Sequence, residues 1–291
     1  MKIAFWGNAK GSCGVTSNLA CISVASVMRY SFKAVLWENH TQQNNLEQAL
    51  LCRQTNHYLS EMNHYQIHPV GMTHIMNQFA YSNHGFSASA QNITSEADYN
   101  ENRIIKEASY EILNESLYYI PSSFKVNREI YDYDIYSNVN KILQSLDTFA
   151  DIIYIDTSNR NSLSSKVILE EADLVVVNLT QNSSVIQHFF DNYSSIQSKC
   201  VFLISGYHKQ SCLNINAISK LHSIKKTQIT VIPYNLEYQE AVSQGTIVEF
   251  LSRNYTCKRR SPNYEFVNQV KKAVEMIMNH INYMEQQEAM R

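Results

Sequence analysis

A short apolar strand, Lys2 to Trp6, runs straight into the loop Ala9-Lys10-Gly11-Ser12-Cys13-Gly14-Val15-Thr16-Ser17. The stretch after it, to Tyr30, is free of Gly and Pro and reads as a helix, and Ala34-Val35-Leu36-Trp37 reads as a second strand ending in Glu38. Strand, glycine turn, helix and strand in that order commit the chain to an α/β plan. The loop then falls at a strand's carboxyl end, where open α/β sheets bind ligands. A phosphate-binding loop uses glycines to turn backbone N–H groups inward, a lysine to reach the phosphates and a following Ser or Thr hydroxyl to hold Mg²⁺. Gly11, Gly14 and Thr16 keep the glycine and hydroxyl positions, but Val15 stands where the lysine belongs. The same strand, turn and helix occur in any α/β protein, so the rest of the chain decides how far the loop carries.

With 291 residues, 44% of them apolar, there is ample material for a buried core in one large α/β domain or two small ones. No leader pattern opens the sequence and no run of about 18 apolar residues occurs, so a cytoplasmic chain is expected. The six cysteines show no metal spacing and are expected to be reduced thiols. A net charge of −2 gives no global attraction to nucleic acid, so DNA is not an expected partner. The basic run Lys258-Arg259-Arg260 reads as a solvated loop before a helix that Ser261 caps and Pro262 begins.

From Gln54 to Asn114 the pattern fades into Asn, His, Tyr and Ser, an insert-like region expected to carry helices. Its histidines, His57, His64, His68, His74 and His84, lack carboxylates at matching spacing and read as solvent-facing or partly packed rather than as a metal site. Order returns with a strand over Ser116 to Ile120, closed by Pro121, and a helical pattern through Tyr136, Val139, Ile142, Leu143 and Leu146. Asp151 to Ser158 then forms an apolar strand that carries Asp156 at its end, the arrangement needed to aim a carboxylate at a metal-bound water beside phosphates. Three further apolar runs, Ala172–Thr180, Cys200–Ser205 and Ile229–Pro233, follow. Continuous rather than alternating apolar runs are expected of parallel strands covered on both faces.

Together these landmarks resemble the MinD/ParA family of deviant P-loop ATPases over nearly the whole chain, with the poorest match from about residue 54 to 114. Lys10 to Ser17 resembles the family's loop, with its early lysine; Lys33 to Glu47 resembles the strand and loop after the first helix; Phe149 to Ser158 resembles the Walker B strand. Val231-Ile232-Pro233-Tyr234-Asn235, with Glu240-Ala241 and Gly245, is similar to the late pattern near the adenine. The resemblance implies a mostly parallel sheet with helices on both faces, the P-loop NTPase fold, in one domain spanning residues 1–291. It implies ATP or ADP with Mg²⁺ as cofactors, held by Lys10, Gly11, Ser12, Cys13, Gly14, Val15, Thr16 and Ser17, with Pro233 and Tyr234 near the base. Thr16, Glu38 and Asp156 would form the metal side. Lys10, Asp156 and His40 take the catalytic positions, and Lys10 would cross to a partner's nucleotide in a homodimer.

The departures weaken the chemistry. Ala9 and Ser12 replace glycines, Val15 replaces the second lysine, and Glu38 and His40 replace two aspartates of which the later orients the attacking water. Phosphoryl transfer depends on charge placed at the γ-phosphate, so weak or no ATP hydrolysis is expected. The divergence resembles the TadZ/CpaE group, which localises Tad (Flp) pilus assembly. The expected role is a localisation or assembly scaffold with protein partners; the alternative is an active ATP-hydrolysing dimerisation switch for DNA segregation or division-site placement. The terminal stretch Phe266, Val270, Val274, Ile277, Ile281 and Met284 has helical spacing and reads either as a helix packed on the sheet or as a peripheral membrane helix.

Overall fold

The computed structural model describes residues 1–9, 13–40, 45–51, 70–84, 94–122, 127–157 and 162–289. Its frame is an eight-stranded sheet whose strands are β1 (Lys2–Trp6), β2 (Ala34–Asn39), β3 (Tyr110–Leu113), β4 (Leu117–Ile120), β5 (Ile152–Thr157), β6 (Leu174–Leu179), β7 (Cys200–Tyr207) and β8 (Ile229–Pro233). They lie in the order β3-β4-β2-β5-β1-β6-β7-β8. Every neighbouring pair is parallel except the β3–β4 hairpin at one edge. The apolar runs of the sequence are these parallel strands, and β2, β4, β5 and β6 are buried along their whole length. The edge strand β3 falls within the region expected to be helical.

Alternate residues of each strand feed two separate cores. Ile3, Phe5, Leu36, Tyr154 and Val176 face α1 (Val15–Arg29), α2 (Asn45–Leu50), α9 (Leu236–Gln244), α10 (Ile247–Asn254) and α11 (Tyr264–Ala289). Ala4, Trp6, Trp37, Ile155 and Val177 face α3 (Met72–His84), α4 (Thr94–Ala108), α5 (Arg128–Phe149), α6 (Leu163–Glu171), α7 (Ser183–Asn192) and α8 (Ile215–Leu221). Both faces being covered is what allows the strands to be apolar on both sides over most of their length. α3 and α4 are helices of the insert-like region. α5 is longer than the pattern through Leu146 indicated and begins at Arg128, where Asn127 caps it by accepting from the Glu129 N–H.

The last helix settles against the fold. Phe266, Val270, Val274, Ile277 and Ile281 of α11 are buried on the sheet and α1, and Met284 is half-buried, so the apolar stripe is spent inside the molecule. The helix starts at Tyr264 rather than at Pro262, because Ser261 and Pro262 lie in a turn in which the Ser261 hydroxyl accepts from the Asn263 N–H. Lys258, Arg259 and Arg260 are exposed just before that turn. Among the described residues no helix is long and apolar enough to cross a membrane, and Cys13, Cys21, Cys200, Cys212 and Cys257 are free thiols.

Candidate functional site

The site is built at the carboxyl ends of β1, β2 and β5. β1 hands the chain to Gly7, where a Cβ would lie 2.9 Å from the Asn178 carbonyl oxygen, so a side chain here would push into β6. Lys10, Gly11 and Ser12 lie outside the described residues. The chain is described again at Cys13, which is buried, and burial pushes its thiol pKa up against a weaker opposing hydrogen bond to the Ala9 backbone. Gly14 then turns with φ 63° and ψ 27°, a left-handed conformation that favours glycine. It is the N-cap of α1, and no side chain caps the helix. The first-turn N–H groups therefore remain donors for an anion, at the positive end of the helix dipole. Val15 packs against the core on the α1 side of the sheet, and the Ser17 hydroxyl donates back to the Gly14 carbonyl at 3.2 Å.

Thr16 is the link between this turn and the sheet. Its hydroxyl donates to Asp156 Oδ2 at 2.7 Å, and Asp156, near the end of β5, has no solvent exposure. The other carboxylate oxygen, Oδ1, lies 3.0 Å from His40 Nε2 in an ion-pair contact. Glu38 sits in register with Asp156 across the β2–β5 pair and is equally buried. Its oxygens are already engaged: Oε2 accepts from the Tyr119 hydroxyl at 2.5 Å and Oε1 from the Leu46 N–H at 3.2 Å, at the start of α2. Burial first, and the charge of Asp156 second, push the Glu38 pKa up to about 7, with Tyr119, His40 and Leu46 opposing. The sequence-derived positions Gly14, Thr16, Glu38, His40 and Asp156 thus come together as one cluster. Pro233 and Tyr234 stand apart from it at the end of β8, Tyr234 being 57% exposed.

Several residues that hold the cluster carry no motif. Asn18 of α1 donates to Asn178 Oδ1 and to Ser205 Oγ, each at 2.8 Å, tying the helix to the ends of β6 and β7. The Tyr238 hydroxyl donates to the Ser17 carbonyl and so ties α9 to the first turn of α1. Asn39 donates to Ser164 Oγ at 3.0 Å, which fixes the residue before His40 against α6. A polar residue set inside an otherwise apolar strand, as Asn178 is one place before the end of β6, was the available signal.

Buried polar atoms without a hydrogen-bond partner gather here: Asn8 Oδ1, Asn39 Oδ1, Asp156 Oδ1 and Thr157 Oγ1 follow or end the three strands β1, β2 and β5. Buried polar atoms are normally satisfied, and such a concentration marks a place for water or a polar ligand. Among the described residues no group of three or more His, Cys, Asp or Glu could hold a metal ion by itself. The donor set does fit a phosphate-bearing ligand with an accompanying cation, through the α1 N-terminus, the Thr16 hydroxyl and the buried Asp156 carboxylate.

Sequence comparison matches the chain to no family model and to no curated protein. Comparison of folds is different. The cell division ATPase MinD of Pyrococcus furiosus superposes with a TM-score of 0.63 at 14% identity, over 96% of this chain and 98% of that one. A ParA family ATPase from Chlorobium tepidum gives 0.63 at 14% identity, over 94% and 96%. This chain has the MinD/ParA fold. The septum site-determining protein MinD of Pyrococcus horikoshii, solved with Mg-ADP, matches with a TM-score of 0.61 at 15% identity, over 95% of both chains. The MinD/ParA fold accounts for the place of the cluster, since β1, the glycine turn and α1 meet the end of β5 at the sheet's carboxyl edge.

Proposed function

We propose that the chain is a cytoplasmic, nucleotide-binding protein of MinD/ParA type that serves as a localisation or assembly scaffold and hydrolyses ATP weakly or not at all. The observation that carries it is Asp156, wholly buried at the end of β5 and hydrogen-bonded to Thr16 in the first turn of an uncapped helix. Gly14 and the N–H groups of Val15, Thr16 and Ser17 would receive phosphate oxygens, with Lys10, Gly11, Ser12 and Cys13 completing the loop and Pro233 and Tyr234 lying towards the base. A divalent ion at Thr16 and Asp156 would supply positive charge beside those phosphates. Hydrolysis is disfavoured because Val15 offers no ammonium group and His40 pairs with Asp156 where a carboxylate would orient water.

A homodimer, with Lys10 reaching the partner's phosphates, and a role in placing a pilus-type assembly belong to the same reading, which the TadZ/CpaE resemblance supports. Calorimetry with ATP and ADP tests its base. Expected are a weak binding heat, a ligand-induced rise in melting temperature and negligible phosphate release. Absence of both heat and melting shift at millimolar nucleotide overturns nucleotide binding. Brisk turnover that disappears in Lys10→Ala favours the hydrolysing switch.

A further inference from the structure

We infer that the turn Lys258-Arg259-Arg260 is a docking surface for a short acidic segment of a protein partner. The inference goes beyond the nucleotide reading and does not depend on it. All three side chains are exposed, and among the described residues none of them makes a hydrogen bond or an ion pair. Acids on the flanking elements are engaged elsewhere: Glu265, at the start of α11, pairs with Lys209, and Glu237 of α9 accepts from Asn263 Nδ2 at 2.6 Å. The whole chain carries a net charge of −2, so without these three cations it carries −5. Positive charge is therefore a local property of this turn and not of the molecule.

The turn is held in place from both sides. The Ser261 N–H donates to the Lys258 carbonyl and the Cys257 N–H to the Asn254 carbonyl, each at 2.9 Å. Behind it the buried Asn263 centres a polar network: its Nδ2 also donates to Asn254 Oδ1 at 3.0 Å, and its Oδ1 accepts from Asn235 Nδ2 at 2.9 Å. Asn235 caps α9 just after β8, so the turn stands at the carboxyl edge of the sheet, the edge that carries the candidate site. Like charges held side by side repel one another, and a ligand of opposite charge relieves that repulsion. The size of the surface selects the kind of ligand. Three consecutive residues reach about 10 Å at most, the length of three or four residues of an extended acidic segment. Proteins that hold duplex DNA make on the order of 6–10 phosphate contacts. Anionic membranes are held by clusters of about 4–8 Lys and Arg. Either surface would also bring the remaining negative charge of the chain close to phosphates.

Fluorescence anisotropy on the full, nucleotide-free chain tests this, with a fluorescein-labelled peptide of eight glutamates as the probe. The wild type should bind it, and raising NaCl from about 50 to about 200 mM should weaken that binding severalfold. The triple variant Lys258→Gln, Arg259→Gln, Arg260→Gln should lose about tenfold or more in affinity. A charge-keeping variant, Lys258→Arg with Arg259→Lys and Arg260→Lys, should bind as the wild type does. Lys225→Gln with Lys226→Gln, which removes two other exposed lysines just before β8, should also leave binding unchanged. A short DNA duplex and phosphatidylserine vesicles, tested on the same proteins, should bind more weakly than the peptide. The inference is overturned if the wild type does not bind the peptide at about 1 mM, or if its binding ignores salt. It is equally overturned if the triple glutamine variant binds like the wild type, if the charge-keeping variant loses affinity, or if the Lys225 and Lys226 variant loses as much. DNA or vesicles bound more tightly than the peptide, through the same three residues, would assign the turn to that partner and overturn the acidic segment. Since no nucleotide is present, failure of nucleotide binding leaves this result standing.

Discussion

Glu38 has no solvent exposure while its side chain keeps two hydrogen-bond partners. Its pKa rises from 4.5 to about 7, so the folded chain holds a proton that the unfolded chain has released. For an acid shifted upward, no stability is lost below about pH 4.5, loss accumulates as the pH rises towards 7, and the full penalty stands above it. Glu38→Gln removes the charge that causes this. Urea midpoints at about pH 5 and about pH 8 should therefore fall further in the wild type than in Glu38→Gln. At the neighbouring loop, Val15→Lys restores an ammonium group and should tighten nucleotide binding more than it speeds turnover, since His40 still stands beside Asp156 in place of a water-positioning carboxylate. Calorimetry and phosphate release, measured on the same variant, separate the two effects.

At the level of elements, α1 is pinned at its site-facing end by two tethers of different kinds. Asn18→Ala would leave Asn178 Oδ1 and Ser205 Oγ without their donor in a buried setting, and should cost about 1–3 kcal/mol in denaturant unfolding. On the same face of the sheet, α11 packs against α1 and contributes as packing. Ile277→Ala should cost about 2–4 kcal/mol, whereas the same change on a helix reserved for a membrane surface would barely move the midpoint. The parallel strands could be read from the sequence because burial on both faces makes most of their positions apolar, with the polar residues of β2 and β5 confined to their carboxyl ends. β3 could not, since Tyr110-Glu111-Ile112-Leu113 is a four-residue, half-exposed edge strand that pairs antiparallel and includes a charge. The Asn18 network was equally hidden: its partners lie 160 and 187 residues away, and nothing local in an asparagine announces them. Gly14, Thr16 and Asp156 were legible because each carries a local pattern, a glycine turn or a strand ending in a carboxylate. The contact of His40 with Asp156 was not, because it joins the ends of two strands through tertiary pairing.

For the whole molecule, the central expectation is assembly. A nucleotide-dependent dimer in light scattering, abolished in Lys10→Ala, would give Lys10 its crossing role. A dimer indifferent to nucleotide would identify a scaffold that no longer switches, and a chain that stays monomeric throughout would remove the homodimer from the proposal. The position of β1 bears on a different property, the chain's history during synthesis. β1 lies between β5 and β6, and Lys2 pairs with Ile153 and Ile3 with Leu174. Its neighbours are thus about 150–170 residues further along, which at about 5–20 residues per second amounts to roughly 8–30 s of translation. During that interval an apolar segment has no strand to zip against while it emerges from the ribosome. Such a nascent chain should be a client for early-binding chaperones, and its yield should depend on translation speed across the stretch that encodes α5 and β5.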